Sequence, residues 1–211
     1  MTKGVIFDLD GVIVDTVPIH FKAWKKMFGE YGKDFTFEDY KKKVDGIPRI
    51  NGAKAILKDL DEKEIEKAAR KKQEYFRAEL DKSDIPVYES TLKLIRNLKK
   101  ENIPVAVISS SKNCTYILKK IGIYEMLDSV VDGNRKIKGK PDPEIFLTAA
   151  KELKVDPKKC VVFEDAELGV EAAKNAGMYV IGIDRYSNPK RLHSAHYITS
   201  EINFLTYLLL S

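Results

Sequence analysis

Four short runs along the chain are almost wholly apolar: Gly4-Val-Ile-Phe7, Val105-Ala-Val-Ile108, Cys160-Val-Val-Phe163 and Tyr179-Val-Ile-Gly-Ile183. Because they lack polar alternation, they read as strands covered on both faces, as in a parallel sheet. Helical periodicity fills the stretches between them, and end signals mark its limits. Asp142 followed by Pro143 reads as an N-cap with proline at N1, while Gly122 and Gly177 stand where a helix closes on a left-handed residue. Strand alternating with helix predicts a doubly wound, Rossmann-like α/β core built on a parallel sheet.

From residue 16 to residue 85 the pattern changes to helical repeats with almost no strand-like run. This predicts an inserted all-helical subdomain, leaving residues 1–15 and 86–211 to form the core. Thr16 is placed to cap a helix whose apolar stripe is Phe21, Trp24, Met27, Phe28 and Tyr31, closing at Gly32. Thr36 with Asp39, and Asp61 with Glu64, have capping-box spacing and predict two more helices. Ser83 to Pro86 reads as the return linker.

Composition adds little to this picture but excludes several classes. At 211 residues and 44% hydrophobic content the chain can bury a substantial core. Its net charge of +5 arises from 37 basic residues interspersed with 32 acidic ones, so there is no concentrated basic arm and no nucleic-acid partner is expected. Cys114 and Cys160 are far apart in the sequence and suggest neither a disulfide framework nor a thiolate metal site, which fits a reducing cytoplasm. Asp8 and Asp10 interrupt the N-terminal apolar run before a signal peptide could form. The apolar stretch from Ile202 to Leu210 is about half the length a bilayer span needs, so a soluble protein with no membrane partner is expected.

Candidate chemistry gathers at the strand ends. Asp8 and Asp10 follow the first strand, where open α/β sheets bind ligands. Acids at the end of a buried strand are costly unless a cation compensates, and magnesium is the hard cation suited to carboxylate and phosphate oxygens. A turn with solvated acids is the plainer alternative. An EF-hand loop is excluded, because it needs Gly sixth and Glu twelfth, whereas here Gly11 is fourth and Ile19 twelfth. After the second strand, Ser109, Ser110, Ser111, Lys112 and Asn113 offer hydroxyls and backbone N–H groups to a phosphate, or form an ordinary helix cap. Lys140 precedes a helix start, where an ammonium could orient a carboxylate nucleophile or simply be solvated. Glu164 and Asp165 end the third strand with another acidic pair.

In this order, the D-x-D at Asp8 and Asp10, the Ser109 turn, Lys140 and the Glu164-Asp165 pair resemble the haloacid dehalogenase superfamily of aspartate-nucleophile phosphotransferases. The resemblance spans nearly the whole chain. It implies that Asp8 attacks phosphorus to form an aspartyl-phosphate and that Asp10 is the general acid and base. It also implies that Mg2+ sits on Asp8, the Asp10 carbonyl and Asp165, beside Glu164, and that Ser109 and Lys140 hold phosphoryl oxygens. The dehalogenases that name the superfamily lack the second Asp and need no metal, so Asp10 argues against dehalogenation.

The insertion resembles the helical cap of the β-phosphoglucomutase-like subgroup. His20-Phe21-Lys22-Ala23-Trp24 is similar to that subgroup's H-F-x-A-W, and the Ser109 to Asn113 segment to its S-x-S-K-N. The likeness implies substrate-binding roles for Thr16, His20, Gly46, Arg49 and Lys72; His20 is equally readable as a packed, hydrogen-bonded residue. Lys71 and Lys72 lie on a helix matching the cap helix that supplies a basic contact, or belong to a solvated charged face. Arg49 would grip a second phosphate with its planar fork, which a bisphosphate-using mutase requires. Asp45 departs from the pattern, standing where sugar phosphomutases carry lysine, and it favours simple hydrolysis. The leading expectation is therefore an enzyme, a monomer acting on a small phosphorylated metabolite as a sugar phosphomutase, with a phosphatase as the alternative. A non-catalytic protein that has kept the fold is the alternative of another class, and every catalytic position holds a competent residue type against it.

Overall fold

The computed structural model describes residues 4–45, 47–82 and 84–202. Contacts divide the chain into two compact units, Met1–Asp15 with Pro86–Ser211, and Thr16–Ile85.

The first unit is built on six parallel strands: β1 (Gly4–Asp8), β2 (Val105–Ile108), β3 (Ser129–Val131), β4 (Cys160–Glu164), β5 (Tyr179–Ile183) and β6 (Tyr197–Thr199). Their spatial order is β3-β2-β1-β4-β5-β6, so β1 lies centrally between β2 and β4. The four strands expected from the apolar runs are the four inner ones. The edges β3 and β6 were not foreseen, since each has only three residues and is partly exposed. Register sets Phe7 opposite Phe163, with rings stacked 4.8 Å apart, and Asp8 opposite Ile108. Strand ends from β1, β2 and β4 therefore fall side by side.

The α-helices of this unit among the described residues are α5 (Glu89–Lys100), α6 (Cys114–Lys120), α7 (Glu144–Leu153) and α8 (Glu167–Asn175). A buried cluster including Ile6, Ile108, Phe146, Ala149, Val162 and Val180 joins sheet to helix. Gly122 and Gly177 end their helices with φ of 75°, as expected. The start of α7 is shifted from expectation. Pro143 is the boundary residue, and the Asp142 carboxylate accepts from the Glu144 N–H at 3.0 Å.

Among the described residues the second unit has four helices rather than three: α1 (Val17–Glu30), α2 (Phe37–Lys43), α3 (Arg49–Ile56) and α4 (Glu62–Lys82). Its core gathers Trp24, Met27, Phe28, Phe35, Ile65 and Ala68. Thr36 and Asp39 form the expected reciprocal capping box, each backbone N–H donating to the other side chain at 3.1 Å. Thr16 corrects the reading. It stands at the N-cap of α1, but its side chain makes no capping hydrogen bond. Among the described residues no helix is long and apolar enough to cross a membrane; the stretch after Ile202 lies outside them.

Candidate active site

Three carboxylates at neighbouring strand ends meet where the apolar registers of β1 and β4 stop. Oxygens of Asp8, Glu164 and Asp165 all lie within 4.8 Å of one another. Lys140 reaches them from the loop before α7, its Nζ donating at 2.7 Å to Asp8 Oδ1 and at 2.7 Å to Glu164 Oε2. Asp8 and Glu164 are buried, at 6% and 0% exposure, so water screens these charges poorly.

Two glycines make room for the acids. A Cβ at Gly11 would overlap the Asp165 carboxylate, and one at Gly169 would overlap that of Glu164. Gly11 also has φ of 77°, a turn that an L side chain would strain.

Burial pushes the Asp8 carboxyl above its usual range, against the opposing pull of Lys140. Burial, reinforced by Asp8, raises Glu164 to about 7 despite Lys140. Asp165 is raised well above the carboxylate range by burial, then by Glu164 and Asp8. Burial alone would lower the Lys140 ammonium, but Asp8 and Glu164 overcome it and hold the proton more tightly than usual. Burial lifts the three acids, and the acids in turn hold the Lys140 proton. When all three are ionised they exceed the one ammonium by two negative charges, which matches a divalent cation. An all-oxygen carboxylate donor set suits a hard ion. The residues present therefore fit a metal ion. The Asp10 carboxylate is not one of the three clustered acids, although its charge is felt at Asp165.

Ser109 follows β2 directly, is buried, and donates its N–H to the Val131 carbonyl at 3.0 Å. Its Oγ accepts from Ser111 N–H at 3.0 Å, and the Ser111 Oγ accepts from Asn113 N–H at 3.1 Å. Two of the backbone donors expected to face a phosphate are therefore engaged inside the turn. Ser110 and Lys112 are exposed, whereas Asn113 is buried. The buried Asp132, missed in the sequence, braces this turn. It accepts from Thr115 Oγ at 2.9 Å and from the N–H and Nδ2 of Asn134 at 3.0 and 3.1 Å, while Asn134 Nδ2 also donates to the Lys112 carbonyl.

In the helical unit, successive residues of α4 collect two of the expected side chains. Lys72, buried at 4% exposure, places its Nζ 2.7 Å from His20 Nδ1. An ammonium can only donate, so Nδ1 accepts. Burial, then Lys72, lowers the His20 pKa well below its ordinary value, and the imidazole stacks on Phe76 with centroids 4.0 Å apart. Arg49 donates from Nη1 to Gln73 Oε1 at 2.5 Å, and its buried Nε has no hydrogen-bond partner. Lys71 pairs instead with Glu30 on α1. Thr16 is buried, and its carbonyl accepts from His20 N–H at 2.9 Å. Gly46 lies outside the described residues.

Comparison with known proteins follows the same lines as the geometry. The family profile for haloacid dehalogenase-like hydrolases matches residues 2–177. The chain is 38% identical over 189 residues to the β-phosphoglucomutase of Bacillus subtilis, covering 86% of this chain and 83% of that protein. It is 34% identical over 180 residues to a phosphorylated carbohydrates phosphatase of Thermotoga maritima, covering 83% and 82%. Among solved structures, the β-phosphoglucomutase of Clostridium difficile superposes with a TM-score of 0.85 at 30% identity, covering 100% of this chain and 97% of that one.

Proposed function

The chain belongs to the haloacid dehalogenase-like hydrolase family, and from that premise we propose that it is a Mg2+-dependent enzyme moving phosphoryl groups between oxygens of small sugar phosphates through an aspartyl-phosphate on Asp8. The observation that carries the reading is Lys140, set 2.7 Å from both Asp8 and Glu164 at the edge of a carboxylate cluster. A structural ion pair needs one acid. Here one ammonium fixes a candidate nucleophile and is itself fixed by a second acid.

The chain's own residues account for each step. A carboxylate oxygen of Asp8 attacks phosphorus, and the bond from phosphorus to the leaving oxygen breaks. Asp10 gives that oxygen its proton. In the second half Asp10 removes a proton from an incoming hydroxyl, which attacks the aspartyl-phosphate and frees Asp8. Lys140 and Ser109 hold the phosphoryl oxygens as charge moves across them. Asp8, Asp165 and the Asp10 carbonyl, beside Glu164, would hold Mg2+, which would supply positive charge to the transferring phosphoryl group. The core unit is the phosphotransferase and the 16–85 unit is its substrate-selecting cap.

For the mutase, the incoming hydroxyl belongs to the sugar, and Arg49, His20, Lys72 and Thr16 act on the substrate from the cap. The unsatisfied Nε of Arg49 favours this reading, because a phosphate oxygen would supply the missing acceptor. Hydrolysis is the second reading, with water as acceptor. Asp45 favours it, since a carboxylate there opposes a distal phosphate, although Lys41 at 3.1 Å offsets part of that charge.

Incubation with Mg2+, β-glucose 1-phosphate and a trace of glucose 1,6-bisphosphate separates the two when glucose 6-phosphate and free phosphate are followed together. Glucose 6-phosphate without phosphate release supports the mutase, and phosphate release supports the phosphatase. Turnover retained by Asp8→Asn would sink both. The enzyme is expected to act as a cytoplasmic monomer.

A further inference from the structure

Behind the Asp10-Gly11 turn lies a cation that no step above uses. Arg185 stands just past the end of β5, and its Nε–H donates to the Gly11 carbonyl at 2.7 Å. Its Nη1 donates to the Ser200 carbonyl at 3.0 Å, beyond β6. The guanidinium face lies on the Tyr88 ring, with Cζ 3.6 Å from the centroid. Tyr88 is tied to the same turn, since its N–H donates to the Ile13 carbonyl at 2.9 Å. We propose that Arg185 is a positioning residue for phosphoryl transfer, holding Gly11, and with it Asp10 and Asp165, at the spacing the reaction needs. This rests on the phosphoryl-transfer reading of the site.

Gly11 is held from two sides, with the Asp165 carboxylate filling the space where a Cβ would be and Arg185 holding the carbonyl. Releasing the carbonyl lets the turn move, and any such movement shifts Asp10, the adjacent residue, relative to Asp8. A residue needed only for packing on Tyr88 could be apolar. Arginine instead leaves its Nη2 buried without a hydrogen-bond partner, an arrangement that costs stability. Lysine cannot substitute, because a single ammonium does not combine a flat stacking face with a fork that reaches two carbonyls.

The test uses Arg185→Lys and Arg185→Met in the full chain, with p-nitrophenyl phosphate as probe and Asp8→Asn alongside. Displacing a catalytic group by a fraction of an ångström to an ångström reduces rate rather than binding, so kcat is expected to fall about 10- to 100-fold in both Arg185 variants. KM should stay within about twofold, and Lys should not rescue. A purely structural role would lower the unfolding temperature while sparing the kcat of the folded fraction. Wild-type kcat in Arg185→Lys, or a loss confined to KM, overturns the proposal. If Arg185→Met does not fold, Arg185→Lys decides alone. Turnover surviving in Asp8→Asn instead refutes the phosphoryl-transfer reading, whatever the Arg185 variants do.

Discussion

Replacing Glu164 by glutamine tests whether the acidic cluster carries the electrostatic load that the structure assigns to it. Glu164 is fully buried, and its carboxyl rises from 4.5 to about 7, through burial first and Asp8 second, with Lys140 opposing. Its folded value is above the unfolded one, so between about pH 4.5 and 7 the folded chain keeps a proton that the unfolded chain has released. Stability from this group is therefore complete below about 4.5 and is lost as pH rises through about 7. At about 1.4 kcal/mol per tenfold change in proton affinity, the loss is on the order of 3 kcal/mol. Glutamine keeps the shape and an acceptor for Lys140 but cannot titrate. In metal-free buffer, the difference in urea unfolding free energy between about pH 4 and pH 8 should shrink by on the order of 3 kcal/mol in Glu164→Gln. Millimolar Mg2+ should flatten the wild-type curve in the same direction, because a bound cation favours the ionised acids. Superimposable pH curves for wild type and variant in the absence of metal would refute the reasoning.

Three further substitutions probe separate features. Gly11→Ala forces a left-handed residue to carry a Cβ that overlaps Asp165; it should cost about 2 kcal/mol in urea unfolding and weaken Mg2+ binding measured by calorimetry. Asp132→Ala leaves the Asn134 N–H and the Thr115 hydroxyl without their buried acceptor, so a loss of about 1–3 kcal/mol, together with lower kcat from a loosened Ser109 turn, is expected. Thr36→Ala removes the capping box of α2, which should lower stability by about 1 kcal/mol and the melting temperature by about 2–4 °C without changing kcat.

The inner sheet could be read from sequence because its strands are buried on both faces, so nothing polar interrupts Val105–Ile108 or Cys160–Phe163. Edge strands lack that signature. Ser129–Val131 and Tyr197–Thr199 are three residues each, and their pairing is visible only once a neighbour is in place. Helix α3 escaped for a local reason: Arg49–Ile56 contains Asn51 and Gly52, poor helix formers, and starts after Pro48 with no side-chain cap. Among site residues, Asp8, Lys140, Glu164 and Asp165 stand at strand or helix ends, where a motif reading looks. Arg185, just past β5, and Asp132, just past β3, also follow strands but belong to no such motif, because their work is to hold backbone carbonyls and turns whose position only the fold defines.

The separation of Asp8 from Lys140, 132 residues along the chain, bears on how the molecule is made. Closing a loop of that length costs on the order of 4 kcal/mol in chain entropy before the ion pair returns anything. Such charges cannot recruit one another early from an unfolded chain. The apolar rungs of β1, β2 and β4 have to join first, and in doing so they bring the acids to adjacent strand ends. Reactivity is thus inherited from the zipping of the sheet rather than contributing to it.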